Sequence, residues 1–249
     1  MMAPRITDPT SNIVALFGAG ATLLAESRRG DGRHLVIRAH EKGGATGRFH
    51  VFKLFGRKRS VLRESLRDFG QRVLVGKTGV LAARRAQIER KVLTLWRHEG
   101  FDVPHLQEGV ALPAGVHQPV VVMEFVSGRH LDQVLADPEV AVAEKERLLA
   151  WLGREWARRH ARAKELNEPL LIQVHASLDH VIHHAGHDSG RGERLVTFDF
   201  EVAWTRRHPI ARLAKWELDR EDESLQRCAP PRQLAALRAA LDHGYTGRG

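Results

Sequence analysis

Lys53, Glu89 and Asp199 are three charged residues whose sequence surroundings suggest chemistry. Lys53 sits where Phe49, Val51, Lys53 and Phe55 alternate with His50, Phe52 and Leu54, the period of a strand. Glu89 falls in a stretch whose apolar residues Ala83, Ile88, Val92, Leu95 and Trp96 recur at helical spacing. Asp199 stands between Phe198 and Phe200 after the apolar run Leu195-Val196-Thr197. An unpaired buried carboxylate is costly, so a metal ion is its favoured partner. Such parts suit phosphoryl transfer. A glycine loop lets amides approach phosphates, a lysine neutralises them and a carboxylate orients the lysine; an acidic residue holds magnesium, and another group takes the acceptor's proton. Phe17 to Leu23 offers Gly18 and Gly20, the first two glycines of G-x-G-x-x-G, with Leu23 at the third place. Gln173 to Ile182 offers His175, Asp179 and His180. Imidazole titrates near neutrality, so His175 is a candidate proton acceptor, and Asp179 is a nearby carboxylate.

Elements must place these groups together. Gly20–Glu26, Leu35–Ile37 and Phe49–Phe55 read as an antiparallel meander, with turns at Arg29-Gly30-Asp31-Gly32 and Gly43 to Gly47. A helix-rich stretch over 60–98 breaks near Gly76-Lys77-Thr78-Gly79 and ends at Gly100. Pro119 opens a compact strand, Val120 to Met123, closed by Ser127-Gly128, and Leu131–Leu135 reads as a short helix. Residues 140–166 form a long helix with Trp151, Leu152, Trp156 and Ala163 on one side, and Arg232–His243 forms an Ala/Leu helix. Leu170–Ile172 and Leu195–Phe198 read as short strands, with a polar loop from Gly186 to Glu193. The order suggests two lobes joined near residue 127.

The 249 residues are 43% apolar and 28% charged, enough for a sizeable core under a solvated surface. The formal charge of +9 favours anionic partners, including phospholipid headgroups. The scarcity of aromatics beside the basic runs argues against a stacking surface for nucleic acid. Cys228 is the only cysteine, so no intrachain disulfide forms and nothing marks an oxidising compartment. Ile13–Ala25 is apolar after Arg5, but Asp8, Asn12 and two internal glycines disfavour a signal peptide, and the run is too short to span a bilayer. Gly70 to Thr78 imitates a Walker A loop, but five residues separate Gly70 from Gly76-Lys77 and no strand precedes it. His175, His180, His183, His184 and His187 crowd thirteen residues; such a tract can bind zinc or nickel, although exposed loop histidines are the plainer reading.

From about residue 16 to 205 the order of parts resembles the protein kinase-like superfamily, including its lipopolysaccharide core or Kdo kinase and aminoglycoside-kinase-like relatives. The resemblance implies an α+β, two-lobed protein kinase-like fold, with an antiparallel small-lobe sheet over 1–126 and a mainly helical large lobe over 127–249. It implies ATP and Mg2+ as cofactors. Lys53 takes the position of the phosphate-binding lysine and Glu89 that of its partner, after an inserted helix and loop from Gly56 to Gly79. Val122 to Gly128 looks like the hinge, with Met123 as gatekeeper and the backbone of Glu124 and Val126 facing adenine. Asp199 takes the magnesium position, with Glu201 replacing the usual glycine. The catalytic loop departs from H-x-D-x-x-x-x-N. In one alignment His180 replaces the metal-binding asparagine, His175 the aspartate and Gln173 the histidine; in the other, Ser177 replaces the aspartate. The implied activity is ATP-dependent phosphoryl transfer to a lipopolysaccharide sugar or a protein hydroxyl. The alternative is a pseudokinase that binds nucleotide or a partner without catalysis. The implied location is the cytoplasm, with the anionic inner face of the membrane as a peripheral site.

Overall fold

The computed structural model describes residues 9–18, 20–29, 32–40, 49–56, 69–78, 81–186 and 192–247. The Gly30-Asp31 pair, the 43–47 loop, most of the 56–79 insertion and His187 lie outside the described residues.

Strands β1 (Thr22–Arg29), β2 (Gly32–His40), β3 (Phe49–Leu54) and β5 (Val120–Glu124) form one antiparallel sheet in the order β1-β2-β3-β5. The pleat sends alternate residues to opposite faces. Leu35, Ile37, Ala39, Phe52, Leu54 and Val120 pack on one face, against Ile13, Val14 and Phe17 in and just after helix α1 (Pro9–Leu16). The apolar run Ile13–Ala25 is thus divided between α1, a turn and β1. The opposite face carries Val36, Val51, Lys53 and Met123 towards a cleft. Lys53 sits in register with Val36 on β2 and Val121 on β5, which fixes its face.

Helix α2 (Ala82–His98) buries Arg85, Ile88, Glu89, Val92 and Trp96, a stripe at i, i+3, i+4 spacing that includes two charged residues. Its Trp96 ring meets Phe200 at 4.6 Å and Phe101 at 6.1 Å, joining the helix to the segment after Asp199. Helices α3 (Leu131–Ala136), α4 (Val142–Leu166), α5 (Ile210–Cys228) and α6 (Leu234–Thr246) enclose a second core of Leu131, Leu135, Leu148, Leu152, Trp156, Leu225 and Leu237. Helices α4 and α6 cross at Gly153 and Gly244. A Cβ on Gly244 would stand 2.0 Å from the Ala150 carbonyl oxygen, so this approach admits only glycine.

Two expected features differ. Leu170–Ile172 is not a strand: Pro169–Leu171 forms a 3-10 turn, begun by Pro169 and by the Glu168 carboxylate accepting from Leu170 N at 3.0 Å. Histidines 183 and 184 lie in a strand rather than an open loop. β7 (Val181–His184) pairs with β8 (Arg194–Thr197), and His184 is buried. Among the described residues no helix is long and apolar enough to cross a membrane.

Candidate active site

The alternation of β3 delivers Lys53 to the cleft with 5% of its surface exposed. Its ammonium meets Glu89 of α2 at 2.9 Å and also the Asp199 carboxylate. Burial opposes the Lys53 charge, but Asp199, Glu89 and Glu201 outweigh it and raise its pKa. Burial drives the Glu89 carboxyl up to about 7, against the pull of Lys53. One ammonium thus faces two carboxylates, which leaves the cluster short of positive charge. One helical turn before Glu89, Arg85 holds Glu201 at 3.0 Å and the Gly56 carbonyl. Glu89 also accepts from Phe200 N at 3.0 Å, so α2 grips the two residues that follow Asp199.

Asp199 has a φ of 69°, a left-handed conformation uncommon outside glycine. Its neighbours hold it there. Phe198 N donates to the His180 carbonyl at 3.0 Å, and Gln173 Nε2 donates to the Phe198 carbonyl at 3.0 Å. His180 Nδ1 donates to the His175 carbonyl at 2.8 Å. In the neutral ring the lone pair is then on Nε2, which stands 3.5 Å from Asp199 Oδ2. Two electron-pair donors at that separation suit a shared cation. The Asp179 carbonyl accepts from His130 Nδ1 at 2.6 Å, while the Asp179 side chain lines the cleft, 4.0 Å from His180 Nε2.

The cleft has a volume of about 480 Å³. Ala25, Val36, Val51 and Met123 line it with apolar surface, and Lys53, Glu89, Asp179, His180 and Asp199 line it with polar groups. Gly18, Gly20, Glu124, Val126 and His175 are not among its lining residues. Gly18 and Gly20 precede β1, with φ of 91° and 88°, whereas the β1–β2 connection runs from Arg29 to Gly32. The Glu124 amide donates to the His105 carbonyl at 2.8 Å. His175 is exposed beside the cleft; partial desolvation of its ring, then the Lys77 and Arg220 charges, lowers its pKa.

The histidine tract diverges. His180 faces Asp199, His183 Nε2 meets Glu193 at 2.7 Å, and His184 Nδ1 donates to the Ser127 carbonyl at 2.8 Å. His183, Glu144 and Glu193 bring donor atoms within 4.8 Å of one another, but Arg147 already bridges both carboxylates.

Sequence reasoning missed a buried network under the segment from Gln173 to Ile182. Glu217 of α5 holds Arg159 and His160 of α4 and accepts from Gln173 N at 3.2 Å. His160 also bonds the Tyr245 hydroxyl of α6 at 2.9 Å. Burial would raise the Glu217 carboxyl, but Arg159 and His160 hold it low. Two turns on, Ser224 accepts from Leu178 N at 3.0 Å. Between them Glu221 Oε2 is buried with no hydrogen-bond partner, and burial, then the Glu217 charge, raises its carboxyl well above the usual range. The folded state therefore keeps a proton that the unfolded chain loses, and stability falls as pH rises from the ordinary glutamate range of ~4.3. Glu221→Gln is expected to match the native protein near pH 4 and to exceed its stability by ~1–3 kcal/mol at about pH 8. Urea unfolding at the two pH values checks this, and an unchanged difference between them contradicts it.

No family model matches the chain, and no curated protein matches it. Solved structures do. One is described as WaaP in complex with acyl carrier protein: 13% identity, 97% of this chain and 83% of that one covered, TM-score 0.50. Another is the Rio2 kinase–ADP/Mg2+–phosphoaspartate complex from Chaetomium thermophilum: 15% identity, 92% of this chain and 66% of that one covered, TM-score 0.45. The first match spans nearly the whole chain, with its antiparallel sheet and its helical half: this chain has the protein kinase-like fold.

Proposed function

We propose that the chain is an ATP-dependent phosphotransferase, with residues 1–126 as small lobe and 127–249 as large lobe around the cleft. The observation that carries this reading is the meeting of Lys53 with Glu89 and Asp199 in one cleft, from three separate parts of the chain. Lys53 would neutralise nucleotide phosphates, with Glu89 holding it in place. Adenine would lie in the apolar part of the cleft, between Val36 and Met123. The donor set fits a hard divalent cation: Asp199 supplies a carboxylate oxygen, nucleotide phosphates would complete the shell, and His180 Nε2 is a further donor. Bound Mg2+ would offset phosphate charge. Asp179 is the favoured proton acceptor, because its carboxylate lines the cleft and the His175 ring does not. The acceptor is a hydroxyl of a lipid-linked sugar or of a protein, and the place of action is the cytoplasm or the inner membrane face. The lack of an aspartate at positions 175 and 177 favours a second reading, a nucleotide-binding pseudokinase.

MgATP at a hundred times its Kd is expected to stabilise the protein by ~2.7 kcal/mol. At ~2–4 °C per kcal/mol for a chain of this size, the melting temperature rises by several degrees. Lys53→Met should lose most of that shift while its circular dichroism stays native. A folded wild type with no shift overturns the ATP site. A shift without any ATP turnover selects the pseudokinase reading.

A further inference from the structure

One side chain ties together the three parts of the chain that carry Lys53, Glu89 and Asp199. Arg85 lies on α2 one turn before Glu89 and is 1% exposed. Its Nη1 donates to Glu201 Oε2 at 3.0 Å, two residues after Asp199. Its Nη2 donates to the carbonyl of Gly56, three residues after Lys53. The buried Phe55 ring lies beside both cations, its centroid 5.6 Å from the Arg85 guanidinium carbon and 5.5 Å from Lys53 Nζ. A planar guanidinium holds two acceptors in fixed directions, whereas a lysine ammonium is a point charge on a flexible stem. Arg85 and Glu201 both line the cleft that holds the charge cluster.

The backbone around this pair is tied in the same sense. β4 (Lys77–Thr78), just before α2, pairs with β9 (Ala203–Trp204), just after Glu201. Thr205 donates to the Gly76 carbonyl through both N, at 2.8 Å, and Oγ1, at 3.1 Å. On α2 itself, Glu89 accepts from Phe200 N and Trp96 packs on the Phe200 ring. The charge cluster alone would not fix this boundary. Lys53 draws Glu89 and Asp199 together, but the two carboxylates repel each other. Arg85 and Glu201 add an attraction across the same boundary, between α2 and the segment after Asp199.

We propose that Arg85 and Glu201 are positioning residues: their pair fixes α2 against the segment that follows Asp199, so that Lys53, Glu89 and Asp199 keep one arrangement through phosphoryl transfer. The role in transfer rests on the phosphotransferase reading, but the hold on α2 can be measured without it. Two measurements on the full chain test it. In steady-state ATP turnover, Glu201→Gln and Arg85→Lys are each expected to lower kcat about tenfold to a hundredfold, the range for residues that orient a metal ligand, with KM for ATP little changed. Arg85→Lys keeps the charge and loses the fork, so a pair that worked through its field alone would spare that variant. In hydrogen exchange of the nucleotide-free protein, the amides of α2 and of residues 200–204 should exchange about tenfold faster in both variants, the size of one charged hydrogen bond lost. The amides of α6 should keep their wild-type rates. Should Arg85→Lys fail to fold, Glu201→Asp takes its place with the same expectations, since it keeps the charge and draws the carboxylate back from Arg85 on a side chain that is 18% exposed. Native kcat in Glu201→Gln or in the charge-keeping variant overturns the positioning role. So does a change in KM alone, or unchanged exchange in α2. Faster exchange in α2, in a protein whose wild type shows no ATP turnover, leaves the Arg85–Glu201 tie standing and removes the phosphotransferase reading instead.

Discussion

Asp199→Asn is expected to cut phosphoryl transfer by roughly 10²–10³-fold while the protein stays folded. The substitution removes the charge that would hold the metal and leaves the Lys53–Glu89 pair in place. Asparagine also tolerates the left-handed φ of 69° that Asp199 adopts, so the backbone has no reason to move. Steady-state ATP turnover gives the effect, and the melting temperature without nucleotide serves as the control. Unchanged turnover would sink the assignment of Asp199 to the metal.

The second large effect falls on stability. Glu217→Ala removes the partner shared by Arg159 and His160 and the acceptor of Gln173 N. Arg159 is 2% exposed and would stay buried with its charge uncompensated. Breaking one side of a buried pair costs ~3–5 kcal/mol. Because the same carboxylate anchors the loop at Gln173, turnover should fall in step with stability at temperatures where the variant is still folded. Urea midpoints alongside turnover distinguish this from a purely local defect. A loss under about 1 kcal/mol contradicts the account, since it would mean that water reaches Arg159.

Much of the sheet was legible because the code there is simple. The two-residue period around Lys53 marked its strand, and the β-branched runs marked its partners. The helix that carries Glu89 showed its apolar spacing. Helix α5 was harder to see because its buried stripe includes Glu217, Glu221 and Ser224, which lower its apolar contrast. Their partners, Arg159, His160 and Leu178, come from distant parts of the chain, so no local pattern announces them. Strand β7 was hidden by His183 and His184, polar residues that gain partners only after Glu193 and Ser127 come alongside. The site shows the same division. Lys53 and Asp199 stood out from their neighbours, whereas the geometry that joins His180 to Asp199 depends on a carbonyl five residues away in sequence.

The separations within the charge cluster bear on when the site can form during folding. Lys53 and Glu89 are 36 residues apart, and Lys53 and Asp199 are 146 apart. Closing the longer loop costs more chain entropy, though only logarithmically more. The Lys53–Glu89 contact can be made while the sheet and α2 assemble, but it leaves both groups without Asp199 and without the Phe200 amide that bonds Glu89. During synthesis, the core of the four-stranded sheet can condense well before the ribosome has released Asp199. The cleft therefore gains its full set of charges among the last events of folding, and a chain halted before β8 would hold Lys53 in position with no Asp199 carboxylate to face it.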